Sequence, residues 1–339
     1  MRGASAGQPG EVQFVEFPEP ELGEGEVILS PLACGICSTD VKQVQKGSRE
    51  VNYALGHELA GEIVEADPES GWTPGQWVIA APYLPCGGCY YCLAGQPTLC
   101  THLYKTALTP GGLAERVHVP RDLVQRGLFL IPEGLSPVAA SLAEPCGCVI
   151  QGLEACRLRA GNSVLVVGDG PMGLISAAIA RAWGAYPVIV AGMLPHRLEA
   201  ARQHFADAII NICDEELVPA VRRITAGRGA DAVMVTVSSG EALVSGVEAV
   251  RPGGVVNAFA GVPEGTIIPL DVRRLHYQQF HLTGSSGTAP VHMAKALRVL
   301  ASGQVQIDLL ITARFPFEAV GEAVAYAAER KGLKAVVVF

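Results

Sequence analysis

The chain has no basic excess, no apolar run of membrane length and no apolar leader, and each shortage removes a class of function. Its 25 Lys and Arg face 33 Asp and Glu, a net charge of −8. No basic block stands out, so the clustered cations that a nucleic-acid surface needs are missing. The best apolar runs, Ser163–Val167 and Tyr186–Ala191, are strand-sized rather than membrane-sized. Met1-Arg2-Gly3-Ala4-Ser5 has no signal-type apolar core, so a cytoplasmic protein without membrane or nucleic-acid partners is the default expectation. What is present is an ordinary globular composition, 49% hydrophobic and 17% charged. At 339 residues the chain is too long for one comfortable core and suits two domains.

Ten cysteines are present, and four of them fall within fifteen residues: Cys86-Gly87-Gly88-Cys89-Tyr90-Tyr91-Cys92 and then Cys100. Two C-x-x-C intervals bring three thiolates to one ion, and a fourth closes a tetrahedron with no position left for water or substrate. That pattern predicts a structural zinc. Two disulfides or a redox pair are the rival readings, and a large chain without an export signal favours metal.

The first part of the chain reads as strands broken by Pro and Gly, among them Val12–Phe17, Glu26–Ser30, Glu62–Ala66, Gln76–Ala81 and Ala114–Val119, which suits a small barrel. After Pro137 the pattern changes. Ala139–Leu153 reads as a helix, and strands then alternate with helices. The strands are Ser163–Val167, Pro187–Ala191, Ala208–Ile212, Ala232–Thr236, Gly254–Phe259 and Gln279–Thr283. The helices include Met172–Trp183, His196–Phe205, Leu217–Thr225 and Ala242–Val250. Apolar strands with intervening helices specify a doubly wound parallel sheet.

Gly168-Asp169-Gly170-Pro171-Met172-Gly173 follows the first of these strands and opens a helix. Gly168 makes the turn, Gly170 lets backbone approach a pyrophosphate, and Gly173 lets helix and strand pack, while Pro171 and Met172 begin the helix whose amides face the phosphates. The alternative is an ordinary strand–helix turn. An NAD site normally offers an acidic residue about twenty residues on. Here the next strand ends in Gly192, followed by Met193-Leu194-Pro195-His196-Arg197. Without that carboxylate, and with Arg197 able to attract a 2′-phosphate, the reading between NAD and NADP leans to NADP. Arg197 reads equally as a solvated first-turn residue.

Cys37 and His57 are a soft and a borderline donor twenty residues apart, each beside a glycine turn, with Thr39, Asp40 and Glu58 close by in sequence. An open zinc site needs three such protein ligands and leaves a position for an incoming oxygen. The alternative is a buried thiol and a hydrogen-bonded imidazole that never meet.

With Cys37, Gly56-His57-Glu58-x-x-Gly61, the cysteine lobe and the glycine-rich turn in this order, the chain resembles the zinc-containing medium-chain dehydrogenases, closest to the polyol (sorbitol or iditol) branch. The resemblance covers essentially the whole length. It implies an α/β protein with a GroES-like β-rich catalytic domain split between residues 1–149 and 285–339, and a Rossmann coenzyme domain at 150–284. It also implies two zinc ions per chain, one catalytic and one structural. Glu144, in Leu142-Ala143-Glu144-Pro145, is the third catalytic ligand it points to, with Glu58 the other contender. The activity implied is hydride transfer between a secondary alcohol, of polyol or sugar type, and NAD(P). The metal acts as Lewis acid on the substrate oxygen and Thr39 accepts the proton. Many relatives carry a relay His three residues after Thr39, where this chain has Lys42, so the proton's exit is open. Tyr83, where the threonine-dehydrogenase branch has His, counts against L-threonine. A ketone reductase in a biosynthetic pathway and a non-catalytic nucleotide-binding scaffold are the alternatives. The resemblance further implies a homodimer or homotetramer, with the apolar 260–269 segment as a pairing edge. Loops Lys46–Tyr53 and Gly284–Ala289 are expected to line the substrate pocket.

Overall fold

A computed structural model describes residues 1–48 and 53–339. Residues 49–52, within the first of the two expected pocket loops, lie outside the described residues. The chain divides into two compact units, Met1–Gly147 with Thr288–Gly303 and Ile307–Phe339, and Cys148–Gly287 with Gln304–Gln306.

In the first unit, β1 (Arg2–Ala6), β2 (Val12–Glu16), β3 (Val27–Gly35), β4 (Glu58–Ala66), β5 (Trp77–Ala80), β6 (Val117–Val119) and β7 (Leu128–Leu130) precede the second unit. The second unit contributes β8 (Val164–Val167), β9 (Val188–Gly192), β10 (Ala208–Asn211), β11 (Ala230–Val235), β12 (Val250–Ala258) and β13 (His281–Gly284). β14 (Ile311–Pro316) and β15 (Lys334–Val338) then return to the first.

The first unit's main sheet runs β14-β15-β3-β4-β5-β7, with β6 also on β3. β3 pairs antiparallel with β4 on one side and β15 on the other, so Gly35 lies opposite both Glu58 and Val336. β3 is mostly buried, and Leu29, Ala33 and Cys34 are fully so. This is the β-rich, GroES-like half of the fold.

The second unit's sheet is parallel, in the order β10-β9-β8-β11-β12-β13. β8 and β9 are buried along their whole length, the continuous apolar run expected of strands covered on both faces. Chain order reverses beside β8, and in such sheets ligands bind at the carboxyl ends of the strands at that point. No helix among the described residues is long and apolar enough to cross a membrane.

Several elements differ from the sequence reading. A helix at Ser38–Lys46 has no clear sequence signal, because it buries only Asp40, Val41 and Val44. The helix expected over 196–205 is Pro195–Ala200, continued by a π-helical turn at Ala201–Phe205. The 260–269 segment forms no strand; it contains Pro263 and Pro269, and Ile267 is 91% exposed, while the edge strands of the sheet are β10 and β13.

Candidate functional site: a metal centre and a dinucleotide turn

Cys37 ends the connection from β3 and precedes the helix Ser38–Lys46. Asp40, in the first turn and 1% exposed, accepts from Cys37 N through Oδ2 (2.8 Å) and from Gly56 N through Oδ1 (3.0 Å). One buried carboxylate thus ties the helix start to the segment that carries His57, and His57 Nδ1 lies 3.8 Å from its Oδ1. Glu58 follows as the first residue of β4. The ligand atoms of Cys37, His57 and Glu58 all lie within 4.8 Å of one another.

Glu58 is fully buried against Gly35, where any Cβ would collide with its Oε2. Its counter-ion is Lys334, 3% exposed, the first residue of β15. The ammonium lies 2.6 Å from each carboxylate oxygen and donates to Ile36 O at 2.9 Å. Burial alone would lower the Lys334 pKa, but Glu58, Cys37 and Glu144 outweigh it and hold the proton above its ordinary value. Oε1 accepts the Lys334 hydrogen bond, whereas Oε2 has no hydrogen bond of its own among the described residues. Glu144, 6% exposed at the start of the helix Ala143–Ala155, stands outside the three-donor group. Its charge nonetheless reaches His57. Burial would lower the imidazole's proton affinity, yet Cys37, Asp40 and Glu144 together raise it well above the usual histidine range. A sulfur, an imidazole nitrogen and a carboxylate oxygen thus converge in one pocket, with Lys334 as the cation paired to that carboxylate. That donor set fits Zn²⁺.

Thr39 and Lys42 are exposed, three residues apart on one face of the helix Ser38–Lys46. Cys146 is fully buried with its thiol pushed upward by that burial, and Cys148 is half-buried; neither belongs to the donor group. Lys334 was not singled out in the sequence, because nothing local links it to a residue 276 positions away.

The sulfurs of Cys86, Cys89, Cys92 and Cys100 also lie within 4.8 Å of one another, and all ten cysteines are free thiols. Backbone N–H groups of Cys86 and His102 each donate to Cys100 Sγ at 3.3 Å. Amides of Cys92 and Thr101 lower the Cys89 thiol to about 6, while desolvation raises Cys92 to about 12. Four sulfurs and no other donor fit a closed tetrahedral zinc.

In the second unit, Gly168 (φ 127°), Gly170 and Gly173 form the turn after β8, with Pro171 and Met172 opening the helix Pro171–Ala182. A Cβ on Gly173 would collide with Gly168 O, so the close packing of turn and helix requires glycine there. Arg197 is 6% exposed, with Nη1 3.8 Å from where a Cβ on Gly170 would stand. It is no solvated first-turn residue; it faces the glycine turn. Gly192 ends β9 beneath the side chain of Asp169, whose Oδ2 accepts from Met193 N and Leu194 N, both at 2.8 Å. In the sequence, Asp169 is only a spacer within the glycine pattern.

Residues 23–133 match the family model for the alcohol dehydrogenase GroES-like domain, and residues 171–302 match that for the zinc-binding dehydrogenase. The chain is 32% identical to the sorbitol dehydrogenase of Bacillus subtilis strain 168, over 98% of this chain and 94% of that protein. It is 32% identical to the L-threonine 3-dehydrogenase of Pyrococcus horikoshii, over 89% of this chain and 88% of that protein. A solved structure of a candidate zinc-binding dehydrogenase from Sinorhizobium meliloti 1021, bound to NADP, superposes with a TM-score of 0.89 at 26% identity, covering 100% of this chain and 99% of that one.

Proposed function

The chain belongs to the zinc-containing medium-chain dehydrogenases, and from that premise we propose that it is an NAD(P)-dependent oxidoreductase interconverting a secondary alcohol, of polyol or sugar type, and its ketone. The observation that carries this reading is the convergence of Cys37, His57 and Glu58 donor atoms within 4.8 Å of one another. Cys37 and His57 hold the catalytic zinc, with Glu58 or Glu144 supplying the oxygen ligand, and the four-cysteine lobe holds a structural zinc. Bound zinc supplies Lewis acidity to a substrate oxygen, and the nicotinamide supplies the hydride acceptor.

The chain's own groups do the rest. Lys334 holds Glu58 in place through their ion pair, and Asp40 fixes the helix start against Gly56. Thr39 Oγ1 accepts the proton of the substrate hydroxyl and passes its own outward along the exposed face that Lys42 shares. Gly168, Gly170, Pro171, Met172 and Gly173 receive the pyrophosphate at a helix N-terminus, with Arg197 facing the same turn and Gly192 at the strand end accommodating the side chain of Asp169. The protein works in the cytoplasm as a homodimer or homotetramer, and the edge strands β10 and β13 of its parallel sheet are available to a second copy.

The test is a panel of polyols, sugars, simple secondary alcohols and L-threonine with NAD and with NADP, read by absorbance of the reduced nicotinamide, alongside zinc analysis. Turnover of a polyol or sugar by protein carrying two zinc ions, abolished by chelation and restored by zinc, supports the reading. Turnover of L-threonine alone would replace the substrate class. No reduction of either dinucleotide, or full activity without zinc, would overturn the reading.

A further inference from the structure

The carboxylate that a dinucleotide fold usually carries at the end of its second strand is absent from position 192, yet the space there is not empty. A Cβ on Gly192 would stand 2.5 Å from Asp169 Cβ and 2.6 Å from its Cγ, with Oδ2 closer still. Asp169 belongs to the glycine-rich turn after β8 and lays its side chain across the end of β9. Its Oδ2 is fixed by two successive backbone donors, Met193 N and Leu194 N, each at 2.8 Å. Its Oδ1 has no hydrogen bond among the described residues, and the side chain is only half-buried.

We propose that Asp169 is the residue that makes this chain select NAD over NADP, supplying from the neighbouring turn the carboxylate that the strand end lacks. The inference rests on the reading of the second unit as a dinucleotide-binding unit. Two adjacent amides at a strand end are a ready anion site, and here they already hold an anion. A ribose hydroxyl can donate to the open Oδ1. A 2′-phosphate would meet a fixed negative charge and find both amides taken.

The basic residues that favour NADP in the sequence are placed elsewhere. Arg197 is buried beside Gly170, at the part of the turn that approaches a pyrophosphate, and His196 is exposed on the first helical turn. The geometry also explains the glycine at 192. Two side chains cannot occupy that corner, so the acid comes from one strand end or from the other.

The experiment measures dissociation constants of NADH and NADPH on the zinc-loaded protein by calorimetry, with no alcohol present, for the parent and two variants. The parent is expected to bind NADH at least tenfold more tightly than NADPH. Asp169→Ser should tighten NADPH at least tenfold and weaken NADH a few-fold. The relocated carboxylate, Asp169→Gly with Gly192→Asp, should restore the preference for NADH, which a general loosening of the turn would not do. A parent that binds NADPH as tightly as NADH, or an Asp169→Ser ratio equal to the parent's, overturns the inference while leaving dinucleotide binding intact. A folded parent that binds neither dinucleotide overturns the underlying reading as well.

Discussion

The two sulfur clusters of the first unit hold similar chemistry in opposite ways. In the lobe, all four donors come from fifteen consecutive residues, Cys86 is exposed and Cys89 and Cys92 half-buried, and the sulfurs are supported by nearby amides. At the Cys37 centre, the donors come from the end of β3, the loop before β4 and β4 itself, and the charge that balances Glu58 arrives from β15. The lobe is closed by its own sequence and needs little from the fold. The Cys37 centre needs the whole sheet, and its group holds three donors where the lobe holds four. A short stretch can saturate an ion, whereas an ion that must stay reactive is held by groups that the fold brings from far apart.

The largest expected effect comes from Cys37→Ser. Turnover should fall by about a thousand-fold or more, because several kcal/mol of Lewis-acid stabilisation goes with the metal. Zinc should fall from two per chain to one, and the melting temperature should scarcely move. Retained turnover would erase the distinction between the two clusters.

Next comes Lys334→Met. It leaves Glu58, fully buried, without its counter-charge, and breaking such a pair typically costs about 3–5 kcal/mol, measurable by urea unfolding. Lys334→Met combined with Glu58→Gln should recover much of that stability without recovering activity. A single variant as stable as the parent would show that the sheet does not depend on this pair.

Cys92→Ser acts on the other cluster. It should remove the second zinc and lower the melting temperature by about 5 °C or more, while the folded fraction keeps activity within about tenfold of the parent. A loss of turnover as large as that of Cys37→Ser would mean that the lobe is more than a staple.

The smallest effect is one of pH. After chelation, alkylation of Cys89 should rise through about pH 6, because a thiol reacts as its thiolate and the amides of Cys92 and Thr101 favour that form. Cys34 and Cys146, fully buried with their thiols raised by desolvation, should stay unlabelled over the same range. Mass spectrometry of labelled peptides reads both. Equal labelling would contradict the contrast between an amide-supported lobe and a desolvated interior.

What the sequence discloses follows the same division. The lobe is written in local spacing and is legible at a glance. β8 and β9 are legible as unbroken apolar runs because both faces are covered, and the glycine turn between strand and helix is legible because phosphate approach demands glycine at fixed intervals. The helix Ser38–Lys46 is illegible because it buries too little to show a clear apolar face. Lys334 is hidden because an ion pair across 276 residues leaves no local trace. Asp169 is hidden differently. It occupies a spacer position in the glycine pattern, and only the fold lays it over the end of the neighbouring strand.

The ion pair between Glu58 and Lys334 also sets an order of events during synthesis. A ribosome adding ~5–20 residues per second needs roughly 14–55 s to travel from one partner to the other. Residues 148–287, the bulk of the second unit, emerge within that interval. Throughout it the nascent chain carries an acid whose neutralising cation has not yet been translated. The four cysteines of the lobe are together early, but the Cys37 centre reaches its native charge balance only when β15 arrives.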